Sequence, residues 1–386
     1  MGSPTAGVTA WLEENIRQHC FPGAVVGVVD GDGRTWCRAA GRFRYDAGAP
    51  AVTQSTVYDT ASLTKSVVTA TLALQLIDGG SLRLDQPVVN LVPELTTRWR
   101  RDITIEHLLT QTAVWRLRMS RLKELSGQDI LDRLLTAELT AAPGSTFGYS
   151  NAASVVLGLV IERAARSSLE TLASRKIFGP LGMGSATLRP VGRQRRHIPP
   201  TELTEWRGLI QSQVHDESAW KLQQVLSPGS AGLFCSAPDL LKFAAMLLAG
   251  GKAADGNTTD HPSGTTSARR RVLSPSIVAR LNRNWLPAAI NDAAGLGWEL
   301  GQAWMGRGAD HRITDHRNVD HRNSGSQAAN RRIGKTGFTG CCMVIDFECQ
   351  LGLVMLSNAT FPDRSISQGR KNRLRSQLCD MVFADC

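Results

Sequence analysis

The order of secondary-structure patterns constrains the fold of this chain most, because strand-like segments occur at both ends and helical ones between them. Residues 24–41 predict a β-hairpin, since two apolar runs flank the turn sequence Asp30-Gly31-Asp32-Gly33. Apolar stretches at 296–304, 341–349 and 351–359 predict strands near the C-terminus. We therefore predict an α/β (α+β) fold, with a sheet domain formed by residues 1–80 and 291–386 and a mostly helical domain over 81–290.

Helical periodicity places the predicted helices along the rest of the chain. An apolar run that includes Ser62 and Lys65 ends at Asp78-Gly79-Gly80, a common helix stop. The other predicted helices cover 6–20, 103–112, 128–139, 151–166, 237–251, 275–285 and a basic segment at 366–383. A chain of 386 residues, of which 42% are hydrophobic and 20% charged, is able to bury a sizeable core.

Charge and hydropathy exclude several classes of protein. The formal net charge is +10, but the basic residues are scattered, whereas a nucleic-acid binder concentrates them on one face. We expect no nucleic-acid partner. No window has 18 uninterrupted apolar residues, and the first residues lack a basic segment followed by an apolar one. These features predict a cytoplasmic protein with no membrane partner.

The cysteines and histidines suggest no metal site. None of the eight cysteines forms a C-x-x-C pair, so we predict free thiols. A disulfide between the adjacent Cys341 and Cys342 is an alternative that we do not favour. Residues 310–324 repeat the sequence Asp-His-Arg three times, and we interpret them as a low-complexity surface loop rather than a metal site.

Ser62 and Lys65 form an S-x-x-K motif within 59-DTASLTKSVVTATLALQLI-77. On a helix, residues i and i+3 share a face, so the lysine amine is expected to reach the serine hydroxyl. Serine needs a base to act as a nucleophile, and a lysine serves as one when burial or a second cation lowers its pKa. The alternative is an exposed serine and lysine at a helix start, which the following apolar run disfavours.

Two further segments carry groups that suit the same chemistry. In 143-PGSTFGYSN-151, Tyr149 offers a hydroxyl that relays a proton and Asn151 an amide that holds a substrate or the lysine. Ser150 or Asn151 as the N-cap of the following helix is a compatible alternative. In 334-GKTGFTG-340, Lys335 supplies the second cation, and Gly337 lets the strand approach a ligand closely.

Together these motifs resemble those of the serine β-lactamase and penicillin-binding protein family. The Tyr-x-Asn form is similar to the class C branch, which includes D-alanyl-D-alanine carboxypeptidases, esterases and transacylases. The resemblance extends over nearly the whole chain. It implies an antiparallel sheet flanked by helices, a mostly helical domain, and an active site in the cleft between them.

The resemblance also implies roles for individual residues. Ser62 is expected to be the acylated nucleophile, with Lys65 or Tyr149 as the base. Asn151 and Lys335 are expected to orient the substrate. The remaining expected binding residues are on the late strand: Thr336, Gly337 and Phe338, whose N–H pairs with that of Ser62 as an oxyanion hole.

Two segments depart from the family pattern. Gln111-Thr112-Ala113-Val114 stands where many relatives have His-Thr-Ser-Gly, so a loop glycine is missing. Lys335 stands where many esterase-like relatives have histidine, and it favours a substrate with a carboxylate or other anionic group. Four tryptophans are candidates to line the cleft, although each alone is more often a packing residue: Trp115, Trp206, Trp220 and Trp285.

We predict a serine acyl-transfer enzyme that acts on a small ester or amide and needs no cofactor or metal. Transfer to an amine or alcohol, as in transacylases that tailor natural products, is the favoured reaction. Hydrolysis is the alternative, in an esterase, a D-alanyl-D-alanine carboxypeptidase or a β-lactamase. A non-catalytic ligand-binding relative is a third possibility, disfavoured because the motif residues are all present. A catalytic triad through His107 or His215 is also disfavoured, and the oligomeric state is open.

Overall fold

The computed structural model describes residues 5–192, 197–253, 271–307, 330–384 and 386. The helices are α1 (Thr5–Arg17), α2 (Thr71–Asp78), α3 (Ile105–Leu109), α4 (Gly127–Thr136), α5 (Asn151–Ala165), α6 (Leu169–Ala173), α7 (Glu217–Leu222), α8 (Ala237–Leu248), α9 (Pro275–Val278) and α10 (Gln368–Val382). The strands are β1 (Gly23–Asp30), β2 (Thr35–Gly41), β3 (Val57–Asp59), β4 (Glu202–Thr204), β5 (Gly208–Ile210), β6 (Phe234–Ser236), β7 (Glu299–Leu300), β8 (Arg332–Thr336), β9 (Cys342–Asp346) and β10 (Leu351–Ser357).

The main sheet takes strands from both ends of the chain. Its six strands lie in the order β2-β1-β10-β9-β8-β7, and every neighbouring pair is antiparallel. The predicted hairpin forms β1 and β2, and the first strand pairs with β10, so that Ala24 faces Ser357. The fold class predicted from the sequence, an antiparallel sheet with flanking helices, is confirmed.

Strand β1, which lies between β2 and β10, is buried on both of its faces. Val25 and Val29 belong to a large core that includes α8, a helix of the middle segment that packs on β1 and β10. Val26 and Val28 point the other way, into a smaller core that includes α1 and α10. Because side chains alternate along a strand, a sheet covered on both faces needs the continuous apolar run that this segment has.

Several predicted elements are shorter than expected. The strand predicted at 296–304 is reduced to Glu299–Leu300, and Ala303–Met305 form a 3₁₀ turn. The helix predicted at 275–285 ends at Val278, and the one predicted at 103–112 covers Ile105–Leu109. In each case apolar residues are buried by irregular chain, which an apolar pattern does not distinguish from a regular element.

The prediction of free thiols is wrong for one pair. Cys349 and Cys386 form a disulfide, with their Cα atoms 5.8 Å apart, because the end of the chain returns to the turn between β9 and β10. Cys341 and Cys342 are free and buried. The Asp-His-Arg repeat lies outside the described residues. Within the described part of the chain, no helix has the length and apolar character needed to span a bilayer.

Candidate active site

Ser62 occupies a tight turn between strand β3 and the helical segment that leads into α2. The preceding Ala61 has a positive φ of 50°, a conformation that costs free energy for a non-glycine residue. The buried carboxylate of Asp59 stabilises this turn by accepting from the Ala61 N–H at 2.8 Å. The Thr60 N–H donates to the carbonyl of Leu233 at 2.9 Å. These two contacts fix the residues before Ser62, and on the other side the Lys65 N–H donates to the Ser62 carbonyl at 3.1 Å.

Lys65 is buried and directed at Ser62. It is only 4% exposed, and its ammonium group donates to Ser62 Oγ at 2.9 Å, Asn151 Oδ1 at 2.8 Å and the Ser230 carbonyl at 2.7 Å. Burial lowers the pKa of Lys65, and the nearby charge of Lys335 lowers it further. A lysine with a lowered pKa beside a serine hydroxyl is suited to accept its proton.

Tyr149 lies between two ammonium groups at the mouth of the site. Its ring centroid is 5.2 Å from Lys65 Nζ and 4.3 Å from Lys335 Nζ. Burial of the hydroxyl opposes ionisation, but the charges of Lys65 and Lys335 outweigh it, so the pKa of Tyr149 is lowered. A hydrogen bond with Ser62 acts in the same direction. The residue as a whole is 48% exposed, so part of the side chain is open to solvent even though the hydroxyl is buried.

Asn151 holds Lys65 and does not cap its helix. Its Oδ1 accepts from Lys65, and its Nδ2 donates to Asp216 Oδ2 at 2.8 Å. Ser150 is at the N-cap position but makes no side-chain cap, so the predicted capping role is wrong for both residues. Sequence reasoning did not assign Asp216 to the site. It directly precedes the short helix α7 and accepts from the Ala219 N–H of that helix, so its local sequence indicates only a helix cap.

Gln111 is a second residue that sequence reasoning did not assign to the site. Its side-chain Oε1 accepts from the Ser150 N–H at 2.9 Å, and its carbonyl accepts from the Gly148 N–H at 3.1 Å. These two N–H groups flank Tyr149. The loop is ordered although Gln111-Thr112-Ala113-Val114 departs from the family pattern. Val114 packs closely against Gly148, since a Cβ added to Gly148 would lie 2.9 Å from the Val114 side chain.

Lys335 is buried and paired with a carboxylate. Its ammonium group donates to Glu299 Oε1 at 2.9 Å, and Glu299 also accepts from Trp304 Nε1 at 3.0 Å. Burial opposes the charged form of Lys335, but Glu299 outweighs it, so the lysine pKa is raised. Glu299 therefore offsets part of the positive charge of Lys335, from which the sequence predicted a preference for anionic substrates.

Gly337 and Phe338 follow strand β8 beside the Ser62 turn. A Cβ on Gly337 would lie 2.4 Å from the Thr60 carbonyl oxygen, so this glycine allows two backbone segments to approach each other. Among the described residues, the N–H groups of Ser62 and Phe338 donate no hydrogen bond to the protein. Two free N–H groups on segments in contact suit an oxyanion hole.

A cavity of about 240 Å³ opens beside Lys65, Tyr149, Lys335 and Thr336. Its apolar lining includes Leu108, Leu109, Phe147, Leu157, Trp298 and Trp304. None of the four tryptophans proposed from the sequence lines this cavity; Trp115, for example, is 4% exposed in the core. The tryptophans that do line it flank β7, where the sequence predicted a plain strand.

Neither histidine considered from the sequence contacts Ser62. His107 completes a capping box with Thr104 at the start of α3. His215 is buried with its ring 5.5 Å from that of Phe338, and its backbone N–H donates to Asp59 Oδ2 at 2.7 Å. Burial and the charge of Arg364 lower its pKa to about 3, so it is neutral at pH 7. Within the described residues, no cluster of three potential ligands is present for a metal ion.

The fold and the site together point to one family of proteins. The family model for beta-lactamase matches residues 8–376, and the chain belongs to this family. Members of the family are serine hydrolases and acyltransferases. The family resemblance inferred from the three motifs is thus confirmed.

Individual relatives extend the comparison. Esterase EstB of Burkholderia gladioli is 30% identical over 273 residues, which cover 62% of this chain and 69% of that protein. Unliganded simvastatin synthase (LovD) from Aspergillus terreus has the same fold, with a TM-score of 0.72 and 18% identity over 100% of this chain and 99% of the other. EstCE1, a hydrolase with promiscuous acyltransferase activity, gives a TM-score of 0.70 at 21% identity and 98% coverage of both chains.

Proposed function

We propose that this protein forms an acyl-enzyme on Ser62 from a small ester or amide and transfers the acyl group to an amine or alcohol. The observation that carries the proposal is the buried ammonium group of Lys65, 2.9 Å from Ser62 Oγ and held by two further acceptors. A buried charge costs several kcal/mol unless its partners compensate for it. Activation of the serine gives the lysine a reason to be in this position.

The reaction proceeds in two halves. Ser62 Oγ attacks the acyl carbonyl carbon while its proton passes to the Lys65–Tyr149 pair, and the oxygen that becomes negative accepts from the Ser62 and Phe338 N–H groups. The intermediate collapses as the leaving group takes the proton, which leaves an ester on Ser62. The acceptor then loses its proton to the same pair, attacks this ester, and Ser62 regains a proton as it leaves.

The lining of the cavity supports an organic acceptor. Leucine, phenylalanine and tryptophan side chains beside Lys65 offer apolar surface to the carbon skeleton of an acyl donor or acceptor, while Gln111, Glu299 and Lys335 of the same lining offer polar groups to orient it. The fold is also that of simvastatin synthase and of EstCE1, whose names record synthesis and acyl transfer.

Hydrolysis is the second candidate function. It is favoured by the similarity to esterase EstB, the relative with 30% identity. The two functions differ only in the molecule that attacks the acyl-enzyme. Incubation with a p-nitrophenyl ester and a panel of amines and alcohols separates them, because an acceptor diverts acyl groups from the free acid into a new amide or ester. Product that is entirely free acid with every acceptor would exclude the transacylase and leave the hydrolase.

Covalent labelling tests the step that both functions share. A fluorophosphonate is expected to add one phosphonyl group to Ser62, read by peptide mass spectrometry, and Ser62→Ala should abolish both the adduct and ester turnover. Ser150→Ala is a matched control, since its buried hydroxyl has no hydrogen-bond partner and should be dispensable. An adduct elsewhere, or near-normal turnover by Ser62→Ala, would show that the nucleophile is misassigned.

A further inference from the structure

Two buried cations on helix α10 are not explained by any ion pair. Lys371 is 4% exposed and Arg375 is 1% exposed. In the described part of the chain, no carboxylate oxygen lies within 4.0 Å of either group. The equally buried Arg332 differs, since its Nε is 2.8 Å from Asp346 Oδ2. Burial of a charge without a counter-charge is costly, so these two cations need another explanation.

Both cations donate to the backbone next to the proposed oxyanion hole. Arg375 Nη2 donates to the Gly337 carbonyl at 2.7 Å and to the Cys341 carbonyl at 3.1 Å. Lys371 Nζ donates to the Phe338 carbonyl at 2.9 Å and lies 4.1 Å from the centroid of the Phe338 ring. The two residues therefore fix successive peptide groups of one short segment.

The peptide geometry connects these contacts to catalysis. The carbonyl of Gly337 and the N–H of Phe338 belong to one planar peptide unit and point in opposite directions. A guanidinium bonded to the carbonyl oxygen fixes the plane of the unit, draws electron density away from nitrogen, and makes the N–H a stronger donor. That N–H has no acceptor among the described residues, so it is available to a developing oxyanion.

We propose that Arg375 and Lys371 are positioning residues of the oxyanion hole, which orient and polarise the Gly337–Phe338 peptide and bring positive charge near the tetrahedral intermediate. This inference rests on the proposed function, because it requires a tetrahedral oxyanion on Ser62. Burial, together with Arg375 and Arg364, lowers the pKa of Lys371 to about 8, and the lysine is still mostly protonated at pH 7.

The test compares Arg375→Met, Arg375→Lys and Lys371→Met with Arg332→Met as the control for loss of a buried guanidinium. For Arg375→Met, kcat on a p-nitrophenyl ester should fall about tenfold, less than the roughly 10²–10³ expected for loss of a direct donor. KM should change less than about threefold. Inhibition by phenylboronic acid, which forms a tetrahedral adduct on serine, should weaken by about the same factor as kcat. Arg375→Lys should recover part of both losses, and Lys371→Met should show the same pattern more weakly.

The control separates a role in the oxyanion hole from a role in the fold. Arg332→Met should lower the melting temperature and the amount of folded protein, while kcat per labelled Ser62 and boronate affinity stay near wild type. If Arg375→Met does not fold, Lys371→Met and Arg375→Lys carry the same comparison. If wild-type Ser62 is labelled but kcat and boronate affinity are unchanged in the folded variants, the inference is overturned. Failure to label wild-type Ser62 would instead overturn the proposed function.

Discussion

The contact between Gly337 and the Ser62 turn gives the sharpest prediction for this site. In Gly337→Ala, the new Cβ would be placed 2.4 Å from the Thr60 carbonyl oxygen and 3.2 Å from Cys341 Cβ. The obstacle is backbone, and Thr60 is fixed because its own N–H donates to the Leu233 carbonyl. The two segments must therefore separate, and they are the segments that carry Ser62 and the Phe338 N–H.

The size of the displacement follows from the contact distance. Ordinary van der Waals contact for a Cβ begins at 3.4 Å, so a contact of 2.4 Å requires a separation of about 1 Å. A misplacement of about 1 Å in a catalytic site costs on the order of 10²-fold in rate. We therefore expect kcat/KM for a p-nitrophenyl ester to fall about 10²-fold in Gly337→Ala, with slower labelling of Ser62 by a fluorophosphonate.

The assay needs a control for glycine-to-alanine substitution itself. Gly184 is exposed and has no positive φ, and a Cβ added there would meet no atom within 4 Å, so Gly184→Ala should leave rate and melting temperature unchanged. Rates are divided by the concentration of sites that the fluorophosphonate titrates, which removes the effect of unfolded protein. If Gly337→Ala stays within about threefold of wild type, the close approach of these segments does not determine the position of the oxyanion hole.

Two charge substitutions should move the pH–rate profile in opposite directions. Lys335 lowers the pKa of both Lys65 and Tyr149, so both pKa values should rise in Lys335→Met. Whichever group is the base, the ascending limb of kcat/KM should then shift to higher pH, and activity at pH 7 should fall about tenfold or more. A limb that stays in place or moves to lower pH would contradict the charge argument. Asp216 raises the pKa of Lys65, so Asp216→Asn should move the limb to lower pH if Lys65 is the base. Asparagine keeps one of the two oxygens, and with that oxygen on the Ala219 N–H its NH2 group faces the Asn151 amide, so kcat should also fall about tenfold. If the pH–rate profile moves in Lys335→Met but not in Asp216→Asn, the base is assigned to Tyr149.

The fold was predictable where local pattern and burial agree. The valines of β1 alternate between the two cores of the sheet, and the apolar run of residues 24–41 with its Asp-Gly turn predicted the β1–β2 hairpin correctly. Helix α5 begins at Asn151 and α10 covers most of the predicted basic helix. The strand predicted at 296–304 failed because Trp298 and Trp304 are buried by a loop around the cavity, and an apolar side chain in a loop gives the same pattern as one in a strand.

The site was predictable only for residues whose chemistry and local spacing stand out. Ser62 and Lys65 are three residues apart, and a helical turn alone brings their side chains together at 2.9 Å. Glu299, which pairs with Lys335, and Gln111, which holds the loop of Tyr149, have no such local signal. A glutamate or glutamine in an apolar segment has the same appearance in sequence whether it faces solvent or a buried ammonium group.

The sequence by itself determined the groups that this protein has for chemistry and the order in which they occur: a serine and a lysine on one helical turn, then a tyrosine, then a second lysine on a late strand. The tertiary structure alone decided how strongly each group is charged and where it points. Lys65 is joined to Asp216 through Asn151, and Arg375 to the Phe338 peptide through the Gly337 carbonyl. These links depend on distances between segments far apart in the chain, and the electrostatic energy of a buried charge depends on those distances rather than on residue type.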